Sequence, residues 1–425
     1  MTEIHAFDPD GTPSPGAQTA LANAVEGIPD ASGTQRGLMA ATDVARLGTA
    51  ATNALRAEKG RPARASVAYG THQGNPYSVV RVFDAIRPGV IAKSLGGAFE
   101  NQGKTGTQLV PSMERLRSYT ARTGYPIAAN ADGWRVDGNV GEMRGPQIID
   151  GQILHEFGNP TESVHQGIEA VGIRGDGTYQ HYSVRDGDTA QSMVDDGVVT
   201  SFSYGPQIVR DGAIRDITDS YWSQFHTTLS ARQVIGYAAD GTFLIITVTG
   251  VSHASGISGI ACGPLAASLG VRDAWLMDGG GSAHTAAGSA YVMPSSDAGC
   301  ERAVPSALLV NADLPPIVSP WYPVTIQNAA MAAWDTPPLY RIAGDRFEFQ
   351  GGVKRADNGN IPGTNNYALK FPFRPAWQSQ ALALSGGLSI GKVSCRTDGQ
   401  LNLYGDNSTT KYLTLDNLRV PYLAQ

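Results

Sequence analysis

Asp278 follows the apolar run 274–277 and is itself followed by Gly279, Gly280, Gly281 and Ser282. Lacking Cβ atoms, the glycines let the backbone turn sharply and present successive N–H groups to an anion. A carboxylate and an anion-ready loop therefore share one turn. The plain alternative is a strand-ending turn in which Asp278 only caps the backbone. His284 lies two residues past Ser282 in the same loop and is a candidate proton shuttle. His226 and His253 read as ordinary polar loop residues. No H-x-H or H-E-x-x-H spacing supports a transition-metal site. The cation this chemistry admits is a hard divalent ion such as calcium, held by Asp278, Asn130 and carbonyl oxygens.

Holding such groups takes a rigid scaffold, and composition bounds which kind. A chain of 425 residues has room for two or three domains, and 41% apolar content is enough to fill their cores. Glycine, at 51 residues, favours a β-rich, turn-rich architecture over a helical one. A net charge of −6 without a long basic run argues against a nucleic-acid groove, yet leaves room for a local anion site. The first sixteen residues lack the basic and apolar regions of a signal peptide. Apolar runs such as 243–248 are too short to span a bilayer, so no membrane partner is expected. Cys262, Cys300 and Cys395 have no C-x-x-C spacing and read as reduced structural thiols.

The elements around the candidate turn follow from periodicity. Ile257, Ile260, Ala261, Leu265 and Leu269 recur at three- and four-residue steps, which predicts an amphipathic helix over 256–269, with Pro264 kinking it or marking its first turn. Met113, Leu116 and Tyr119 predict a helix over 111–123. Strands are predicted at 78–82, 242–249 and 307–310, with tight turns at Asp211-Gly212 and Asp240-Gly241. Residues 97–105 look like a phosphate-binding P-loop, but Ala98 stands where that motif needs glycine, so a polar loop is expected. Before Val67 the only aromatic is Phe7, too little for a core. Val44, Leu47, Ala51 and Ala54 predict a helix over 43–60 with a seam suited to a short coiled coil.

Several of these stretches, in order, resemble the phosphodiester glycosidase family. Residues 125–134, with Asn130-Ala131-Asp132-Gly133, are similar to its N-G-G-[FY]-F segment, Ala131 and Asp132 replacing two glycines. Residues 138–151 are similar to its return strand, 203–212 to its GG-P-LV-x-DG hairpin, and 230–236 to its [SP]-[AR]-R-T-A-I-G strand, with Gln233 for threonine. The glycine turn and Glu301-Arg302 complete the pattern. Residues 30–43 resemble the GTQ-GLM-A-TD segment of bacteriophage tail-fibre and receptor-binding proteins, and 321–425 resembles the terminal β-domains of tail proteins.

The resemblance implies cleavage between an anomeric carbon and a phosphate oxygen. Phosphate is already a stable leaving group, so cations that hold it matter more than a strong acid. Arg232 and Arg302 are the implied phosphate ligands, since a guanidinium grips two oxygens at once. Asn130, Gly205, Gly279, Gly280, Gly281 and Ser282 are further implied contacts. Asp278 is the first choice for the carboxylate that supports the cationic carbon or activates water, with Asp132 and Glu142 next.

The expected architecture is an α+β central domain of mixed, mostly antiparallel sheets with helices (67–313). A short helical or extended trimerisation arm (1–66) precedes it, and an antiparallel β-sandwich (314–425) follows. The expected protein is a homotrimeric phage tail component on the virion. It contacts other tail proteins and recognises, and by the leading reading hydrolyses, a bacterial surface glycopolymer of teichoic-acid or capsule type. The competing reading is binding of a phosphosaccharide without cleavage.

Overall fold

The computed structural model describes residues 61–96, 111–137, 140–157, 168–218, 227–250, 255–297, 300–333 and 335–357, with shorter stretches from 368 to 421. Residues 1–60 of the arm expected over 1–66, the loop 97–105, His226 and His253 lie outside the described residues, whereas 63–66 of that arm belong to the first described strand.

Strands β1 (Ala63–His72) and β2 (Asn75–Phe83) form a hairpin, and β3 (Ile91–Leu95) follows. The two-residue β4 (Glu114–Arg115) leads into helix α1 (Leu116–Thr123), which ends at left-handed Gly124. β5 (Ile127–Ala129) precedes two hairpins, β6 (Trp134–Asp137) with β7 (Val140–Met143), then β8 (Gln147–Ile149) with β9 (Gln152–His155). Next come β10 (Glu169–Arg174), β11 (Tyr179–Ser183), helix α2 (Ala190–Asp195) and β12 (Val198–Ser203), then β13 (Gln207–Arg210) turning into β14 (Ala213–Ile214). β15 (Arg232–Ala238), β16 (Phe243–Val248), helix α3 (Gly259–Ser268) and β17 (Val271–Met277) form the most apolar part. β18 (Thr285–Ala287), β19 (Ala290–Met293), β20 (Ala303–Val304), β21 (Ser306–Val310) and β22 (Ala312–Asp313) complete the region.

An eight-stranded sheet has the order β14-β13-β17-β15-β16-β2-β1-β22, antiparallel except where β22 lies parallel to β1. Every residue of β16 is buried, as its uninterrupted apolar sequence requires of a strand covered on both faces. One face packs on α3 through Ala261, Cys262, Leu265 and Ala266. The other, with Val80, Ile245 and Trp275, packs with Ile127, Ala129 and Leu308 of a second sheet ordered β19-β18-β5-β21-β3. A third sheet, β11-β10-β12-β8-β9, completes the set. The molecule is thus mostly β, built of largely antiparallel sheets with few helices, more strand-dominated than the α+β expectation.

Two predicted helices are shorter than their periodicity suggested. α1 begins only at Leu116, because Glu114 and Arg115 pair with Val304 and Ala303 as strand. α3 starts after Ser258, whose hydroxyl accepts from the Ala261 N–H at 3.3 Å and caps it, while Ile257 bridges to Ser230. Pro264 sits in its second turn, and Ile260, expected on the buried stripe, is 41% exposed. No helix among the described residues is long and apolar enough to cross a membrane.

Beyond residue 313 the chain forms antiparallel sheets of four, five and three strands, among them strands at 346–350 and 400–404. Their side chains join a cluster that also contains central-region residues: Tyr119, Tyr291 and Leu309 share one apolar core with Tyr322, Tyr340 and Phe347.

Candidate active site

Three strand ends meet around the glycine turn. β17 delivers Asp278, β15 starts at Arg232, and Asn130 directly follows β5. The registers bring them together: β15 pairs with β17 through Gln233↔Met277, and β5 pairs with β18 through Ala129↔Thr285. Asn130 Nδ2 then donates to the Asp278 carbonyl at 3.1 Å, and the Gly280 N–H donates to Ala231 O at 2.9 Å. The turn is pinned from two sides, and residues 280–282 close it as one turn of 3-10 helix.

Asp278 is partly open to solvent yet crowded by protein atoms, and this desolvation pushes its carboxyl up to about 6. Opposing the rise are a hydrogen bond with the Ser282 hydroxyl, the Arg302 charge, the Gly279 N–H and the Arg232 charge. The Gly279 N–H donates to Asp278 Oδ1 at 3.0 Å, so the capping predicted as the plain alternative is present. It coexists with a carboxylate within electrostatic reach of Arg302 and Arg232.

Arg232 is 4% exposed; its Nε donates to Ile257 O at 3.1 Å and its Nη2 to Thr228 O at 2.6 Å. These carbonyls fix the plane of a group whose desolvation is its main cost. Burial lowers its pKa from the usual arginine value, although the guanidinium stays charged at any physiological pH. Arg302 is more open. Its Nε is ion-paired with Asp297, and its Nη1 reaches Ser282 Oγ at 3.4 Å. Asp297 in turn lies where a Cβ on Gly281 would collide with its carboxylate, and the Ser295 hydroxyl donates to Gly281 O and accepts from the Asp297 N–H. Asp297 and Ser295 therefore set both Arg302 and the glycine turn, and the sequence reading missed both.

Other expected site residues take different places. Asp132 is fully buried: its Oδ2 meets Lys93 Nζ at 2.7 Å and accepts from Ser306 Oγ at 2.7 Å, and its Oδ1 accepts from the Ser203 N–H at 2.9 Å. A carboxylate so enclosed joins strands, and the structure places Asp132, expected among the catalytic carboxylates, in that buried network and not at the open end of the glycine turn. Lys93, also buried, is pushed below the usual lysine range by desolvation against the pull of Asp132. Gly205 packs against Leu276, with its N–H donating to Leu276 O at 3.1 Å; it is a close-approach glycine and not a ligand donor. His284 is sealed from solvent. Its Nδ1 bonds Ser282 O at 2.9 Å, and burial holds it neutral, down to about 4. The residue expected as a proton shuttle is thus placed beneath the turn, where it does not face solvent. Glu142 lies in β7 opposite Arg135. Among the described residues no three His, Cys, Asp or Glu side chains converge as a metal site.

Tyr204 and Arg144, not singled out from the sequence, enter the same field. The Tyr204 hydroxyl feels Asp278, Arg144 and Arg232. A signal was present, since Tyr204 stands beside Gly205-Pro206 where the resembling pattern has its first glycine.

Residues 123–311 match the family model of phosphodiester glycosidase. All the residues gathered at the turn fall within that span. A relative, the SPbeta prophage-derived uncharacterized protein YomE of Bacillus subtilis (strain 168), is 36% identical over 199 residues, 47% of this chain. The match spans only 30% of that relative's own length. Among solved structures, the zebrafish N-acetylglucosamine-1-phosphodiester alpha-N-acetylglucosaminidase catalytic domain, auto-inhibited by its pro-peptide, aligns with a TM-score of 0.47 and 19% identity, over 60% of this chain and 85% of that one. The receptor binding protein of Listeria phage PSA aligns with a TM-score of 0.20 and 19% identity, over 25% of this chain and 65% of that one.

Proposed function

We propose that this protein hydrolyses a sugar-1-phosphodiester linkage in a bacterial cell-surface glycopolymer, as a component of a phage tail. The observation that carries the reading is the placement, at one set of strand ends, of the Asp278 carboxyl, raised to about 6, within electrostatic reach of the guanidiniums of Arg232 and Arg302. The family match over 123–311 supports the reaction class, and the prophage origin of the relative supports the phage setting.

In this reaction the bond between the anomeric carbon and the phosphate oxygen breaks, the electron pair leaving with phosphate, and water adds to the carbon. Arg302 and Arg232 neutralise charge gathering on the leaving phosphate, and the N–H groups of the glycine turn add neutral donors. Asp278, ionised above about pH 6, supports the cationic carbon or takes the proton of the attacking water. Ser282 orients its carboxylate. The homotrimer, tail-protein contacts, virion location and teichoic-acid or capsule substrate belong to the same proposal.

Isolated wall and capsule polymers incubated with the full-length protein test it. New phosphomonoester and reducing ends should appear together, and Arg302→Ala should slow the appearance of both by roughly ten- to a thousandfold. Tight polymer binding without new ends would leave a receptor-binding protein with no hydrolase activity.

A further inference from the structure

Tyr204 is held between two fixed points. On one side its ring lies on Gly133, where any Cβ would occupy the ring's own position. Gly133 is itself anchored, its N–H donating to Ser203 O and its carbonyl accepting from the Arg144 N–H, both at 3.0 Å. On the other side Gly205 is locked against Leu276, two residues before Asp278. The half-buried ring therefore has little freedom to swing away. Its hydroxyl lies within electrostatic reach of Asp278, Arg144 and Arg232. Burial, reinforced by the Asp278 charge, holds the phenol well above its ordinary value, so it remains a protonated donor throughout the working pH range.

Two properties follow. A neutral O–H beside two cations can donate to an anion without adding a further charge whose desolvation must be offset. An aromatic ring fixed by packing offers a flat apolar surface at low entropic cost. We propose that Tyr204 contacts the substrate, its phenol donating to the phosphate ester gathered by Arg232 and Arg302, with Arg144 adding to the positive field, while its ring covers the attached sugar, so that the site selects a sugar-1-phosphate ester over bare phosphate. This assignment rests on the function proposed above, and it adds a residue that selects the substrate.

The experiment compares binding of two probes, N-acetylglucosamine-1-phosphate and inorganic phosphate, to the full-length protein by calorimetry, with the melting temperature as control. Tyr204→Phe should weaken both probes by about tenfold, the loss of one donor to a charged group. Tyr204→Ala should weaken the sugar phosphate by roughly a further tenfold and leave phosphate where Tyr204→Phe put it. Unchanged affinities in Tyr204→Phe overturn the assignment, as does a Tyr204→Ala variant whose losses are equal for both probes and track a fall in melting temperature. If the wild type shows the expected split but cleaves no diester, hydrolysis falls and the Tyr204 contact stands. If the wild type binds neither probe, while an Arg232→Ala variant behaves identically, both readings fall.

Discussion

Burial and charge pull Asp278 in opposite directions, and the balance leaves it titrating near the pH at which it would work. Because an ionised carboxylate is the form that supports a cationic carbon, kcat/KM should rise with pH through an acid limb at about 6. Arg302→Ala removes one of the charges that lower this value, so its residual activity should show the limb displaced upward. A limb that stays fixed in that variant would detach Asp278 from the rate. Stability should respond with the opposite sign. The folded carboxyl binds its proton more tightly than the unfolded one, so its favourable contribution is complete below the unfolded value and is lost as pH rises through about 6. Asp278→Asn should therefore raise the melting temperature at pH 8 and leave it unchanged at pH 4, while removing activity at both. Equal melting shifts at the two pH values would sink the linkage. At this scale the sequence was informative about Asp278, Arg232 and Ser282, because glycine runs and strand-end cations announce themselves. It was silent on Asp297, whose importance comes from lying under Gly281 and not from any motif of its own.

Strand ends are what bring these side chains together, and buried polar pairs tie the strands to each other. Lys93 on β3 and Asp132 after β5 pair with no exposure on either side, and Lys93 also donates to Ser201 O of β12 at 2.8 Å. The ion pair thus staples the sheet that carries Asn130 to the sheet that carries Ser203. Removing one member of a buried pair leaves the other uncompensated, which typically costs about 3–5 kcal/mol. Asp132→Asn should lower denaturant stability by roughly that amount while the folded fraction keeps its kcat. A loss of activity at nearly full stability would return Asp132 to the chemistry. Sequence patterning placed the most apolar strands, since β16 and β17 read directly as buried runs, but it could not show which carboxylate would meet Lys93. That pairing depends on β3 and β5 both flanking β21, a neighbour relation that no local period encodes. The opposite effect acts at Asp297: it is expected to be dispensable for folding but not for positioning. Asp297→Asn should raise KM for a phosphodiester about tenfold by freeing Arg302, as loss of one charge-assisted contact would. A kcat/KM equal to wild type would show that Arg302 holds its position without it.

At the scale of the whole molecule, the sequence offers Asp313-Leu-Pro-Pro as a linker, and the division at 313/314 remains a proposal about domains. The packing couples the two sides more closely than a linker suggests. β22 reaches Asp313 while pairing with β1, Tyr69 of β1 packs against the cluster that contains Tyr322, and Leu309 shares that cluster with Phe347. Where the two parts meet, a groove of about 960 Å³ is lined by Arg117, Tyr125, Gly288, Asp313, Pro316 and Gly344. It lies at the end of β5 and β18 away from Asn130, so a disturbance there reaches the site only through the sheet. Composition shows where a chain changes character, but not that aromatic residues from both sides will fill one core. A chain ending at Asp313 would leave Tyr119, Tyr291 and Leu309 without part of their cover, and large exposed apolar patches of that kind promote association. Such a truncated chain should melt at least several degrees below the full-length protein and self-associate, while still binding the sugar-phosphate probe, because the strand ends that form the site lie within the matched span 123–311. Melting unchanged from the full chain would mean that the shared cluster contributes little and that the linker reading is sufficient. Loss of probe binding from a chain that still melts cooperatively would mean that residues beyond 313 help to hold the strand ends in place.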